Sequence, residues 1–509
     1  MTILLTTLNA RFAHASLALR YLYANMQELQ QQTHILELTI QQNVEDMLEQ
    51  IVNKNPHIIG FSVYIWNIEK TTQLIRELKI LRPDISIIIG GPEVSYEYQK
   101  TEIFTLADYL ITGWGDISFY QLCHQLMAGQ MIASKVIQGI QANLATILLP
   151  YDYYTDDDIK HRTIYVEASR GCPFKCEFCL SSLDKTAWMF PLEPFLAAMD
   201  KLYQRGLRQF KFIDRTFNLK KEFTATILQF FLDKLKQYPD ESLFLHFELV
   251  PDHLPDELKA LILEFPAASL QFEIGIQTLY AETQTLISRK TNLSKAKENI
   301  SWLSKHTTVH LHVDLIAGLP AENLANFAKG FNELWSWQPQ EIQLGLLKRL
   351  KGTPIKRHNQ AYDYKFSSLP PYTLLANKDL DYEEVNHIKK IAKFWDLIAN
   401  SGRFKFTLPL LLNDDAFGNI AAFSQWAFPK VNQTHGIALD KLFALVFEFL
   451  LASQQHSLET IQQAMQQDFI RIGTHGWPRF LGEPPRAWKD HLKHKGKEQA
   501  LPKRQQQHA

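Results

Sequence analysis

The sequence is short of several things, and each shortage removes a class of protein. It has no excess of charge: 54 acidic residues stand against 53 basic ones among 509. Binding of nucleic acid or another polyanion by the whole surface is therefore not expected. It has no long apolar run. The longest, 442–452, is too short to span a bilayer and carries Glu448. Residues 1–10 hold no charged segment ahead of an apolar core, so no secretory signal is expected and the expected location is the cytoplasm. Cysteine is scarce. There are four, and three of them fall between 172 and 179. That distribution excludes a disulfide framework and indicates metal or redox chemistry. What remains is globular in composition, 46% hydrophobic and 21% charged. Roughly three domains are expected at this length, and no repeat of solenoid period is visible.

Residues 1–133 alternate short apolar runs (3–7, 35–40, 58–64, 85–89, 109–112) with amphipathic stretches (16–31, 44–53, 69–81, 117–128). Unbroken apolar runs of strand length suggest a parallel sheet buried on both faces. Five such strands make a doubly wound, flavodoxin-like α/β domain. Ligands of such sheets sit past the carboxyl ends of the strands. Those ends carry Asn9 and Arg11, then Tyr64 and Trp66, then Gly90, Gly91 and Glu93, then Gly113 and Trp114. Glycine lets a ligand approach the backbone, and the aromatic rings offer flat apolar surface. Ordinary βα turns use glycine as well. Residues 134–162, with Pro150 and the acidic run Asp156, Asp157 and Asp158, read as a linker.

A second series of strands and helices occupies 163–379. Strands are expected at 163–169, 209–213, 243–249, 270–276, 309–316 and 341–347, which suggests a full or partial parallel barrel. Three of these strands carry polar residues at alternate positions: His246 and Glu248; Gln271, Glu273 and Gln277; His310, His312 and Asp314. Period two puts each set on one face of its strand. Barrel lumens are usually apolar, so a polar lumen points to an interior active site. The alternatives are a solvated edge strand and, for His310, His312 and Asp314, a mononuclear metal site. Residues 380–488 read as helical with no chemical motif, and the basic stretch 489–509 as a disordered tail.

The segment directly after the first strand of the second series decides the chemistry. It reads Ser169-Arg170-Gly171-Cys172-Pro173-Phe174-Lys175-Cys176-Glu177-Phe178-Cys179. A loop there lies at the mouth of the barrel where catalysis takes place in this architecture. Three thiolates at this spacing suit three irons of a [4Fe–4S] cluster and leave the fourth iron open. A closed zinc site would need a fourth ligand, and no histidine lies within the loop. Cys123 falls on an expected helix, as a core thiol.

Cys-x3-Cys-x-aromatic-Cys after the first strand of a βα barrel resembles the radical S-adenosylmethionine (SAM) enzymes. The resemblance implies a partial six-unit barrel. It implies that Cys172, Cys176 and Cys179 hold the cluster and that Phe178 packs near the adenine of SAM. The open iron would chelate SAM, and an electron from the cluster would cleave it to methionine and a 5′-deoxyadenosyl radical. The second strand ends without the usual Gly-Gly-Glu; Asp214 or Thr216 takes its place. Glu273 and Gln277 fall on the strand that resembles the ribose-binding one. Arg289 would pair with the SAM carboxylate. His246, Glu248, His312 and Asp314 are candidate substrate contacts.

A flavodoxin-like domain ahead of such a barrel resembles the cobalamin (B12)-binding subclass. By that resemblance Asn9, Arg11, Tyr64, Trp66, Gly90, Gly91, Glu93 and Gly113 contact cobalamin. The Asp-x-His-x-x-Gly motif that supplies a histidine to cobalt is missing. His14 stands in the first loop as a lower ligand or as a contact to phosphate or backbone. The reaction implied is methylation or rearrangement of an unactivated carbon in a small molecule, with a flavodoxin or ferredoxin as electron donor and no membrane or nucleic-acid partner. Two alternatives remain: a radical SAM enzyme whose front domain uses no cobalamin, and a non-catalytic iron–sulfur or cobalamin sensor.

Overall fold

The computed structural model describes residues 1–473, 476–486 and 488; the expected tail at 489–509 lies outside them. The chain forms two compact units. The first comprises Met1–Phe217, Lys348–Lys356 and Ser367–Thr373; the second comprises Asn218–Leu347, Arg357–Phe366 and the chain from Leu374 onward.

The first unit opens with a parallel sheet of β1 (Ile3–Asn9), β2 (Thr33–Thr39), β3 (Ile58–Ser62), β4 (Ser86–Gly90), β5 (Tyr109–Thr112) and β6 (Val136–Gln138), ordered β2-β1-β3-β4-β5-β6. All seven residues of β1 are buried, because both faces of the sheet are covered. Leu4 and Leu8 pack on one side with Met47 and Ile51 of α2 (Val44–Val52; α1 is Leu17–Ala24) and Leu74 and Leu78 of α3 (Ile68–Leu81). Ile3 and Leu5 pack on the other side with Leu19 of α1 and Phe119 and Cys123 of α5 (Asp116–Met127; α4 is Glu102–Leu106). Strand order reverses between β1 and β3. A doubly wound sheet binds its ligand at such a reversal, past the carboxyl ends.

Two features of this unit depart from the sequence pattern. The sheet has six strands, not five. The sixth, β6, pairs with β5 through only three residues, too few to show a periodicity. The segment 134–162 is also more than a linker. Its acidic run forms the first turn of α6 (Asp156–His161), where Thr155 and Asp158 make a reciprocal capping box. Carboxylates at a helix N-terminus satisfy free N–H groups and oppose the helix dipole.

The second series begins in the same unit with β7 (Ile164–Val166), next to which β10 (Gln209–Phe212) runs parallel. Between them, β8 (Ser169–Arg170) pairs antiparallel with β9 (Trp188–Met189), forming a hairpin that carries the cysteine loop. Helix α7 (Leu192–Gln204) leads into β10.

The second unit contributes β11 (Phe244–Leu249), β12 (Leu270–Gln277), β13 (His310–Ala317) and β14 (Glu341–Leu346), parallel and in chain order. Within this unit the strand order is β14-β13-β12-β11. Helices α8 (Lys221–Gln237), α9 (Asp256–Leu263), α10 (Ala281–Leu286), α11 (Leu293–His306) and α12 (Leu324–Ser336) intervene. The helical part follows as α13 (Tyr382–Ile398), α14 (Leu408–Leu412), α15 (Ala416–Val431), α16 (Leu439–Ser453) and α17 (Leu458–Ile472). It is built onto the strand series. The Asn400 amide pairs with both Ile342 N and O (3.0 and 2.9 Å), and Trp395 packs edge-on against Phe331 of α12 at 4.7 Å. Helix α15 had no clear sequence signal, since it is apolar on most of its surface and holds Pro429 in its last turn.

Candidate functional site

Loops past the carboxyl ends of β1, β3, β4 and β5 line a cavity of about 630 Å³ in the first unit. Asn9, Ala10 and His14 come from the first loop, Tyr64 and Trp66 from the second, Gly90, Gly91 and Pro92 from the third, and Gly113 to Asp116 from the fourth. Gly91 has φ +111°, and a Cβ there would lie 2.5 Å from the Val63 carbonyl oxygen. Only glycine fits that position. The Tyr64 and Trp66 rings stack at 4.4 Å and 6°. The indole N–H donates to Leu8 O at 3.3 Å, while Trp66 stays 47% exposed. The pair presents a flat apolar surface held from behind.

The remaining wall was not legible in the front domain's sequence, because it comes from elsewhere. Tyr165, Glu167, Arg170 and Ile213 line the same cavity. Arg170 binds Asp116 at 2.7 Å and Glu167 at 3.1 Å, and its guanidinium lies over the rings of Tyr21 and Trp114. Burial raises the Glu167 carboxyl above its ordinary range, and Arg170 opposes that shift. The Tyr165 hydroxyl lies 2.7 Å from His14 Nδ1. Burial, with Lys211, Arg11 and Arg162 nearby, holds the His14 pKa below the usual imidazole value.

Six of the eight residues expected around cobalamin line this cavity: Asn9, Tyr64, Trp66, Gly90, Gly91 and Gly113. Two do not, and both are corrections. Arg11 is exposed and is not among the lining residues. Glu93 turns away and is 3% exposed. Its carboxylate takes Lys351 at 2.7 Å and the Tyr372 hydroxyl at 2.7 Å. Lys351 and Arg349 hold the β4 loop through Glu93 and Glu97.

The cysteine loop begins one residue after Arg170. Cys172 N donates to Asp184 O at 2.8 Å, and Cys179 N donates to Cys176 O at 3.2 Å. Ser182 Oγ donates to Cys176 O and to Cys179 O (2.9 and 2.7 Å). The Trp114 indole donates to the Asp184 carboxylate at 2.6 Å, which ties the β5 loop to the cysteine loop. Cys172 and Cys176 are 8% and 9% exposed, and burial pushes the Cys172 thiol up to about 11. Among the described residues, no three His, Cys, Asp or Glu side chains are grouped for a single metal ion. Three soft donors on one braced loop fit an iron–sulfur cluster. The cavity, with a cradle at Gly91 that a Cβ would fill, fits part of a corrin-sized ligand.

Asp214 sits fully buried, accepting from Ala168 N at 3.1 Å and Ser169 Oγ at 2.6 Å. Burial raises its carboxyl to about 7. Both oxygens are taken up inside the protein, so it braces the chain ahead of the cysteines. Phe178 and Thr216 are half-buried.

In the second unit, the alternating polar residues come into register. Glu248, Glu273 and His312 stand side by side across β11, β12 and β13, as do His246, Gln271 and His310 one step earlier. His246 Nε2 is 3.2 Å from Glu273, and His312 Nε2 is 3.5 Å from Asp314. Burial, with Glu273 and Glu248 nearby, pushes the Asp314 carboxyl well above its ordinary range, and Arg289 opposes this. Arg289 donates to Gly275 O. Gln277, at φ +72° beside a bulge, folds its amide over Gly275, where a Cβ would meet it at 2.3 Å. His310 is taken up by Glu341 at 2.8 Å.

Residues 3–122 match the B12 binding domain family and residues 166–333 the Radical SAM superfamily. The chain carries a B12-binding domain and a radical SAM domain. Residues 360–508 match a further family, described only as a protein of unknown function (DUF4080). The chain's fold is similar to that of OxsB, a cobalamin-dependent SAM radical enzyme (TM-score 0.64, 13% identity, 97% of this chain and 83% of that one). It is also similar to the fold of TsrM, a radical SAM methyltransferase of Kitasatospora setae solved with cobalamin and a [4Fe–4S] cluster (TM-score 0.60, 14% identity, 73% and 82%). A curated relative, the uncharacterized methyltransferase PH0819 of Pyrococcus horikoshii, is 26% identical over 203 residues, 35% of this chain and 43% of that protein. The chain spans less than half the length of the curated relatives it matches.

Proposed function

We propose that this chain is an enzyme that cleaves SAM reductively at a [4Fe–4S] cluster and uses cobalamin to methylate an unactivated carbon of a small molecule. The observation that carries this reading is a shared wall. The cavity past the first sheet and the cysteine loop are joined by Arg170–Asp116 and Trp114–Asp184. The methyltransferase names of PH0819 and TsrM favour methylation over rearrangement. When bound, the cluster and cobalamin supply an electron for SAM cleavage and a carrier for the methyl group.

The chain's own residues have distinct tasks. Cys172, Cys176 and Cys179 ligate three irons and leave the fourth for SAM. Tyr64 and Trp66 offer the corrin a flat apolar face. Arg170, with Glu167 and Asp116, fills the wall between the two sites with a neutralised group and keeps water out. In the first unit Phe178 and Thr216 are the candidates for SAM contact; in the second, Glu273, Gln277 and Arg289 are the candidates for that role, and His246, Glu248, His312 and Asp314 those for polar groups of the substrate. A flavodoxin or ferredoxin of the cytoplasm delivers the electron. The functional divisions are 1–133 for cobalamin, 163–379 for SAM and 380–488 for a helical domain.

Metal content tests the proposal. The full chain is reconstituted anaerobically with iron, sulfide and hydroxocobalamin, desalted, and assayed beside Cys176→Ala. About four irons and about one cobalt per chain, with iron lost in the variant, are expected. Iron without cobalt would make the front domain a scaffold, and zinc in place of iron would overturn the radical chemistry.

A further inference from the structure

Resting on the SAM reading above, we infer a task for the front of the 360–508 region, whose family has no described function: Tyr364, Asn377 and Asp379 are positioning residues for SAM. They fix the loop after β13, and that loop, through Glu322, fixes the end of β12 that offers Gln277 to SAM. Two short strands open the region, β15 (Lys365–Phe366) and β16 (Leu374–Ala376), paired antiparallel. Leu374 N donates to Leu347 O at 2.9 Å, just past β14. Tyr364 Oη donates to Gly318 O at 2.9 Å, and Asn377 Nδ2 donates to the same oxygen at 3.2 Å. Asn377 Oδ1 is held in turn by Asp379 N and Leu380 N (2.9 and 2.7 Å). Asp379 Oδ2 accepts from Ala321 N at 3.0 Å. The loop needs such braces. Gly318 has φ +90° and Ala321 φ +65°, and a non-glycine residue keeps that conformation only where its surroundings over-determine it. A Cβ at Gly318 would meet the Leu374 side chain at 2.1 Å, so β16 packs directly on the loop.

The far end of the same loop is tied to β12. Glu322 is buried, and its Oε1 accepts from Thr278 Oγ1 at 2.6 Å. The Thr278 hydroxyl oxygen accepts from Tyr280 N at 3.0 Å, and the Thr278 carbonyl takes Gln284 Nε2 at 3.2 Å. Thr283 Oγ1 donates to Pro320 O at 2.7 Å, a second tie between the two strand ends. Thr278 follows Gln277 directly. Gln277 sits at φ +72° beside the bulge, and its Oε1 is buried with no hydrogen-bond partner among the described residues. A buried acceptor of this kind calls for a donor, and SAM carries hydroxyl and amino donors. Because Thr278 is gripped at its hydroxyl and its carbonyl, the peptide ahead of it cannot turn freely, and the direction of the Gln277 side chain is set. Burial raises the Glu322 carboxyl to about 7, so a neutral amide is a fair substitute for it.

Equilibrium dialysis with radiolabelled SAM tests this on the full chain with its cluster reconstituted, with thermal melting and hydroxocobalamin dialysis alongside. Tyr364→Phe and Thr278→Val are each expected to raise the SAM dissociation constant about fivefold to tenfold and to leave cobalamin affinity within about twofold of the wild type. The double variant is expected to lose less than the product of the two, because both act on one path. Glu322→Leu is expected to match the single losses, whereas Glu322→Gln, which keeps an acceptor for Thr278, stays within about threefold of the wild type. Should Glu322→Leu not fold, the near-isosteric Tyr364→Phe and Thr278→Val carry the test. Variants that melt earlier yet bind SAM like the wild type would overturn the inference, since the loop would then serve stability alone. Losses that multiply in the double variant would overturn it as well, as would equal losses in Glu322→Gln and Glu322→Leu. A wild-type chain that holds about four irons and binds no SAM would overturn the SAM reading itself, and this inference with it.

Discussion

Arg170 and Asp116 meet at 2.7 Å across 54 residues of sequence, one at the threshold of the cysteine loop and the other at the first turn of α5. Glu167 takes the same guanidinium at 3.1 Å. Side-chain exposures of 8 to 12% make this a buried triad. Its charges are paired inside the protein, not by solvent.

Removal of the arginine should therefore be costly. Arg170→Met leaves two buried carboxylates without a counter-charge, with an expected loss of about 3–5 kcal/mol. The expected readout is a clear drop in melting temperature, recovered in large part when Asp116→Asn and Glu167→Gln are added. A single variant that melts like the wild type would show that the triad is not holding the wall.

Glu93 and Trp66 separate bracing from binding. Glu93 is sequestered by Lys351 and Tyr372, whereas Trp66 lines the cavity. Glu93→Gln is expected to leave cobalamin affinity within about threefold of the wild type, and Trp66→Ala to weaken it by about tenfold or more, as loss of an aromatic contact of about 1.4 kcal/mol would. Equilibrium dialysis with hydroxocobalamin measures both. Equal losses would return Glu93 to the binding site.

Asp214 makes stability fall as pH rises. Its folded value of about 7 lies above the unfolded 3.8, so the folded chain holds the proton more tightly. The resulting contribution is complete below the unfolded value and is lost as pH rises through about 7. Asp214→Asn keeps an acceptor for Ser169 and removes the titration. The variant's melting temperature relative to wild type should rise from about pH 4 to about pH 8. Glu322, a carboxyl in the second unit also raised by burial to about 7, should behave alike as Glu322→Gln. A pH-independent difference would count against the buried proton.

Gly91→Ala probes the cavity rim. A methyl group at φ +111°, 2.5 Å from the Val63 oxygen, should cost about 1–3 kcal/mol. Thermal melting of the full chain reads the cost. Gly113→Ala is the comparison: its φ is also positive but a Cβ there meets nothing within 4 Å, so the loss should be smaller.

The sequence was legible where a feature repeats or concentrates. Apolar strands of two kinds announced both parallel sheets, and three cysteines within eight positions announced the cluster loop. It was illegible where position in a loop does not reveal direction. Glu93 and Arg11 sit among residues that do line the cavity, yet one is turned inward to partners 258 and 279 positions away and the other faces solvent. Strand β6 was hidden by its brevity. The importance of Tyr165 was hidden by distance, since 151 positions separate it from His14.

The braces on the β1–α1 loop carry one more consequence. Arg162 donates to Phe12 O at 2.9 Å and to His14 O at 2.5 Å, Thr163 N donates to Ala13 O at 2.7 Å, and the Tyr165 hydroxyl engages His14. All three are translated only after all six strands of the first sheet have left the ribosome. Until they arrive, the sheet has its core but not a finished pocket. The front domain is thus not a portable cassette. Cut at the end of its sheet and grafted onto another enzyme, it would carry the strands and the glycine turns but leave behind the groups that hold its first loop and close its far wall.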